Sequence, residues 1–256
     1  MTVRLGEVVS YLDTTLEISR FRDYGPNGLQ VEGAQSVARI VTGVSANMAL
    51  FERAGDADLI VVHHGLIWGG GLSRVTGTAA ERLRTLLGSG TSLAAYHLPL
   101  DFHPTLGNNA GLADAISLPA ERIGFGDVRG HALGLAATLA VPRPRDNIIN
   151  AISTGVCGGS EPRFVFPFGA ESVKKVGLCT GAASDLMEEA AECGCDVFIT
   201  GELAERAGEL ARELGITLVA AGHVATEVFG PMRLAAALSS KFPDAQVEFV
   251  DVPSPL

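Results

Sequence analysis

The chain has 256 residues, 47% of them hydrophobic, enough to fill the core of one large domain or two modest ones. A formal net charge of −10 and a pI near 5.0 argue against a broad basic surface for nucleic acid, where phosphate neutralisation dominates affinity. No apolar run reaches the roughly 18 residues of a membrane span, and no signal peptide precedes the first helix, so a cytoplasmic protein with reduced thiols is expected. Cys157, Cys179, Cys193 and Cys195 lack the paired spacing of a structural zinc site, and Cys193 and Cys195, flanking Gly194, read as small core or loop residues.

Val3 to Leu16 carries apolar residues at helical spacing. It is followed by DYGPNGLQVEG (Asp23 to Gly33), whose Gly25 to Gly28 cluster predicts a tight turn before a strand over Leu29 to Val31. Backbone N–H groups in that turn would also suit an anionic substrate. Arg39 to Val44 predicts a strand and Asn47 to Ala54 a helix. Leu59 to Val62 is the β-branched run of a strand buried on both faces, and it runs directly into His63, His64 and Gly65. Neighbouring side chains of an extended chain point to opposite faces. Both histidines can therefore serve one site only where the chain leaves the sheet, which is where open α/β sheets bind ligands. The plainer alternative is one buried and one exposed histidine.

Trp68 to Gly77 reads as a glycine-rich loop that covers a site, Ala79 to Leu87 as a helix, and Ser92 to Tyr96 as a strand leading into HLPLDFHP. Asn108 and Asn109 are expected to cap a helix starting near Ala110. Gly124 to Pro144, rich in Gly, Pro and short β-like runs, is the expected crossover between domains over residues 1–125 and 126–256. Beyond it, helices are expected at Asp146 to Thr154, Asp185 to Glu192, Leu203 to Leu214 and Pro231 to Lys241. Strands are expected at Val173 to Cys179, Val197 to Ile199, Thr217 to Ala221 and Gln246 to Val250. Thr180, Gly181 and Ser184 form either a plain connecting turn or a weak anion site at a helix start.

An internal repeat runs through this order. RIVTGVSANMALFERAGDADLIVVHHG in the first half matches KKVGLCTGAASDLMEEAAECGCDVFITGE in the second. Asp58 and Asp196 hold equivalent places, His64 falls opposite Glu202, Gly90 opposite Gly215, and His97 with Asp101 opposite His223 with Glu227. The expected fold is α/β: two related three-layer-like α/β domains from an internal duplication, with a metal site in the cleft between them. His63, His64, His97, Asp101, Glu202, His223 and Glu227 gather at the strand ends. Buried imidazoles and carboxylates are costly unless paired, and a divalent metal pairs them. Imidazole and carboxylate without thiolate suit Zn, Fe, Mn, Co or Ni, and the donors are too many for one tetrahedral ion and enough for two. His97 and Glu202 read as residues that orient the ligands or tune the chemistry. His103 and His131 read as ordinary surface or loop residues.

With His63-His64, HLPLD, TGE and GHVATE in hand, the chain resembles the Nif-three-like dinuclear metal-centre family, often called GTP cyclohydrolase type-two homologs. DYGPNGLQVEG, IVTGV and LGNNAGLA extend the likeness over nearly the whole chain. The resemblance implies two divalent ions per chain and ring-shaped homohexamers. Its ligand pattern falls on His63, His64, Asp101, His223 and Glu227: one metal on His64 and Asp101, the other on His63 and His223, with Glu227 bridging. Val224 stands where relatives often carry a histidine or tyrosine. Two functions stay open at this stage. One is a metal-dependent hydrolase of a nucleotide or related small molecule, GTP cyclohydrolase-like, with Glu202 and His97 as catalytic candidates. The other is a non-catalytic metal-binding or scaffold ring. No membrane partner is expected.

Overall fold

The computed structural model describes residues 2–254. Elements follow in chain order. The first stretch holds β1 (Val3–Arg4), α1 (Leu5–Thr15), β2 (Gly28–Val31), β3 (Ser36–Val37), β4 (Arg39–Ser45), α2 (Met48–Ala54), β5 (Leu59–His64), α3 (Gly77–Ser89), β6 (Ser92–Ala95) and α4 (Leu98–Phe102). The middle stretch holds α5 (Asn108–Ala115), β7 (Arg122–Val128), β8 (His131–Pro144), α6 (Arg145–Gly155), β9 (Phe164–Pro167), β10 (Ser172–Leu178), α7 (Met187–Glu192), β11 (Val197–Thr200), α8 (Ala207–Leu214), β12 (Thr217–Ala220) and α9 (His223–Glu227). Last come α10 (Phe229–Lys241) and β13 (Gln246–Phe249).

Two compact units result. The first comprises the chain up to Gly107 together with Val228–Val252, and the second comprises Asn108–Glu227 with Pro253 and Ser254. This differs from the single division at 125/126 expected from composition. Residues 108–125 belong with the second unit, and the last helix and strand return to the first. Gly124 to Pro144, read as a crossover, instead forms most of an antiparallel β7–β8 hairpin in the second sheet. Its glycines and prolines punctuate an edge pair rather than a linker.

The first unit's sheet has the order β13-β4-β5-β6-β2, parallel throughout except for β2 at the edge. Strand alternation sorts its apolar residues onto two cores. Ile40, Leu59, Val61 and Ala94 pack with Leu5, Val8 and Leu12 of α1 and with Leu234 and Leu238 of α10. Val41, Ile60, Val62, Leu93 and Ala95 pack with Leu50, Phe51 and Ala54 of α2 and with Leu86 of α3. A sheet covered on both faces explains the unbroken apolar run of β5. Asn47 starts α2 by accepting a hydrogen bond from the Leu50 N–H at 2.9 Å.

The second unit's sheet has the order β7-β8-β10-β11-β12-β9, in which β10, β11 and β12 are parallel and β9 runs antiparallel at the edge. Its central strand, Val197–Thr200, is buried throughout. This core repeats the order and sense of β4-β5-β6-β2 in the first unit. The likeness extends to single side chains. Asp58 Oδ2 accepts from Ala38 N and Arg39 N at 2.7 and 3.0 Å, and Asp196 Oδ2 accepts from Lys174 N and Lys175 N at 2.6 and 3.0 Å. A left-handed glycine, Gly90 or Gly215, closes α3 and α8 alike.

Candidate metal centre

In the first unit the polar group forms where β5 runs out. His63 is wholly buried, and His64 is partly buried. Their ring centroids are 4.5 Å apart, so the two rings meet although they leave opposite faces of the strand. Nδ1 of His63 lies 3.0 Å from the carbonyl oxygen of Tyr96. A carbonyl only accepts, so in the neutral ring Nδ1 bears the proton and Nε2 the lone pair. That Nε2 lies 3.5 Å from Oδ1 of Asp101, a buried residue of α4. Nδ1 of His64 lies 2.9 Å from Ser45 Oγ, at the end of the neighbouring β4.

His97 stands just before α4, its ring centroid 5.0 Å from that of His63 and 5.7 Å from that of His64. Its Nδ1 lies 2.7 Å from Asp23 Oδ1, and its N–H donates to Asn27 Oδ1 at 2.8 Å. One ring nitrogen from each of His63, His64 and His97 falls within 4.8 Å of the others. Burial raises the Asp23 carboxyl, but the hydrogen bond and charge of His97, with hydrogen bonds from Asn27 and the Tyr24 N–H, outweigh it and leave Asp23 below its ordinary value. Asp23 and Asn27 were read only as parts of a turn. Their role could have been suspected from two hydrogen-bonding side chains placed in a glycine–proline turn.

Trp68 also belongs to this neighbourhood. Its ring stands edge-on to His97 at 5.0 Å, and its indole N–H donates to the Gly65 carbonyl at 3.0 Å. Gln30 braces the loop: its Oε1 accepts from Leu66 N and Ile67 N at 2.8 and 3.0 Å, while its Nε2 donates to the Pro26 carbonyl at 2.9 Å. The polar groups of the DYGPNGLQ turn thus hold the histidine loops in place.

In the second unit α9 is a single turn, and its four-residue spacing puts His223 and Glu227 on one face. Nε2 of His223 lies 3.1 Å from Glu227 Oε2, and its Nδ1 lies 3.1 Å from Glu202 Oε2. Glu227 is buried, whereas the Glu202 side chain is more than half exposed. Burial lowers the pKa of His223, but the two carboxylates, Glu227 foremost, override this and bring it up to about 9. The α9 turn ends at Glu227 and a new helix begins at Phe229, with Pro231 in its first turn.

Gly181 lets β10's loop approach this pair. A Cβ there would collide with Glu227 Oε1 and come within 3.3 Å of His223 Nε2. The anion-site reading of Thr180, Gly181 and Ser184 does not hold. The N–H groups of Thr180, Gly181 and Ala183 donate to Asn109 Oδ1, Thr226 Oγ1 and Thr200 Oγ1 at 2.8, 3.1 and 3.2 Å, and a carboxylate stands beside the loop. Asn109 is therefore no helix cap. It and Asn108 lie inside α5, buried, and the Asn109 amide also donates to the Leu133 carbonyl at 3.0 Å. His103 Nδ1 accepts from Leu106 N at 3.0 Å in a local turn, and His131 opens β8.

Each unit thus collects imidazole nitrogen and carboxylate oxygen, a donor set that fits divalent Zn, Fe, Mn, Co or Ni. The residues expected as ligands fall into two groups: His63, His64 and Asp101 in the first unit, and His223 and Glu227 in the second. His97 and Glu202 each sit beside one group.

Similarity to known proteins extends over the whole chain. A GTP cyclohydrolase 1 type 2 homolog of Pseudomonas aeruginosa is 39% identical over 258 residues, covering 100% of both chains. The solved structure of protein ybgI, described as of unknown function, superposes with a TM-score of 0.89 at 37% identity, covering 99% of this chain and 100% of that one. TTHA1606 from Thermus thermophilus does so with a TM-score of 0.88 at 33% identity and the same coverage. The family model described as Duf34/NIF3 (NGG1p interacting factor 3) matches residues 3–255, and the chain belongs to that family.

Proposed function

We propose that the protein is a dinuclear metal-dependent hydrolase of a nucleotide or related small molecule, working in the cytoplasm as a ring-shaped homohexamer. His63, His64, Asp101, His223 and Glu227 hold two divalent transition-metal ions. By the family resemblance, Glu227 would be the ligand that both ions share. The observation that carries this reading is the anchoring of the imidazoles. His63 is fixed through Nδ1 by a main-chain carbonyl and His64 by Ser45, which is how proteins orient histidines that bind metal through Nε2. A metal pair supplies an activated water at neutral pH and polarises the bond under attack. His97 and Glu202 stand beside the ligands to tune that chemistry. The name GTP cyclohydrolase 1 type 2 homolog, borne by the relatives, makes opening of the purine ring of GTP the first activity to assay. The matched Asp58 and Asp196 contacts support descent of both units from one duplicated ancestor.

The test is metal quantification on purified protein, followed by turnover of GTP, other nucleotides and phosphoesters by metal-loaded protein against a metal-free control. Hydrolysis that requires metal supports the reading. Two bound metals with no turnover on any substrate would point to a non-catalytic metal-binding or scaffold ring.

A further inference from the structure

Asp23 stands in the turn before β2 and takes no part in the expected ligand pattern, yet both its oxygens are fully engaged. Oδ1 accepts from Tyr24 N at 2.6 Å and faces His97 Nδ1 at 2.7 Å. Oδ2 accepts from Leu98 N at 2.8 Å and from Asn27 Nδ2 at 2.9 Å. The side chain is only 1% exposed. An ionised carboxylate only accepts hydrogen bonds, and it has room for about four. Tyr24 N, Leu98 N and the Asn27 amide can only donate here, since the Asn27 oxygen is already used by His97 N. Of the four partners, only the imidazole has a choice of proton position, and the carboxylate decides it. The carboxylate keeps the proton of neutral His97 on Nδ1 and leaves the lone pair on Nε2.

We propose that Asp23 is a positioning residue which fixes His97 as an Nε2 acceptor in the His63, His64 and His97 cluster. Asn27, from the same turn, fixes its backbone, and Trp68 packs edge-on against its ring. A fixed acceptor in that cluster receives a hydrogen bond from the water or hydroxyl group that reacts there. A mobile or Nε2-protonated ring would offer a donor instead. The inference deepens the hydrolytic reading and rests on it for its use in turnover, but the proton position is a property of the metal-free chain.

The experiment reads that position directly, by two-bond nitrogen–hydrogen correlation spectra of uniformly 15N-labelled, metal-free protein at neutral pH. His97 is assigned by comparison with His97→Gln. Neutral His97 should show a protonated Nδ1 and a bare Nε2. Wild-type protein with the proton on Nε2, or with both forms exchanging evenly, overturns the proposal even if the protein binds metal and turns over substrate. Asp23→Ala removes the acceptor altogether, so the His97 proton should lose its fixed place on Nδ1 and shift toward Nε2. A folded Asp23→Ala protein with an unchanged His97 signal also counts against the role. Should that variant fail to fold, the wild-type spectrum still decides. If hydrolysis is found, Asp23→Ala should lose activity by the same factor as His97→Gln while keeping its metal content, and absence of any hydrolysis would leave the proton measurement standing.

Discussion

Tyr96 aligns His63 through a main-chain atom while its own side chain is tied elsewhere. Its carbonyl meets His63 Nδ1 at 3.0 Å, and its hydroxyl donates to Asp13 Oδ1 at 2.7 Å. Burial, with the nearby Asp13 charge second, drives the phenol pKa far above its ordinary value, so the hydroxyl stays a donor. Tyr96→Phe should therefore destabilise the protein by about 1.5–3 kcal/mol, the range for a lost hydrogen bond to a charged group. Metal content should not change, because the His63 anchor is backbone. Urea unfolding and elemental analysis of the same sample check both halves.

Metal stoichiometry should separate a bridging ligand from a terminal one. Wild-type protein reconstituted with Zn, Mn or Fe should bind about two ions per chain. Glu227→Ala should weaken both sites together, since a carboxylate offers two oxygens where a neutral imidazole offers one lone pair. His63→Ala or His64→Ala should chiefly weaken one. Retention of one ion at wild-type affinity in Glu227→Ala would exclude the bridge.

Acid should act on Asp23. Its pKa lies below the ordinary 3.8 in the folded chain, so its contribution to stability is present above that value and is lost as pH falls through the lowered one. Wild-type stability should drop across that acid range by more than that of Asp23→Asn, with both compared by urea titration at stepped pH. Parallel curves would show that Asp23 is not held ionised.

Trp68 is the only tryptophan and stands 5.0 Å from His97 and 6.1 Å from His64, so its fluorescence reports on the first unit's histidines. Open-shell Co or Ni added to metal-free protein should quench it strongly, and Zn much less. The quench should saturate at the stoichiometry found by elemental analysis. Unquenched emission at full loading would place the metals elsewhere.

The two aspartates at the starts of β5 and β11 should be equally important. Each accepts two main-chain N–H groups from the neighbouring strand. Asp58→Ala and Asp196→Ala should each cost about 1.5–3 kcal/mol in urea unfolding. A neutral result for one of them would mean that its two donors find water without penalty.

What could be read in the sequence was what is local. The β-branched run of β5 announced a buried strand, and His223 and Glu227 stood together within one short motif. Asp23 was hidden because its partner His97 lies 74 residues away, and a turn-rich segment looks the same whether its polar groups face water or a histidine. Asn109 was misread for a similar reason. Its amide serves Thr180, 71 residues on, rather than its own helix end. The strand Phe164–Pro167 escaped because an edge strand of four residues carries too few positions to show alternation. Periodicity also cannot say which sheet a strand joins, so α10 and β13 were assigned to the unit that precedes them in sequence.

That return has a consequence for how the chain is made. When a ribosome has released residues only as far as Glu227, every strand of the second unit's sheet is already available, while the first unit is unfinished. The outer edge of β4 still awaits β13, and Ile40 and Leu59 still lack Leu234 and Leu238 of α10. The earlier-synthesised unit is thus the later to close, since it is complete only once Val228–Val252 has emerged.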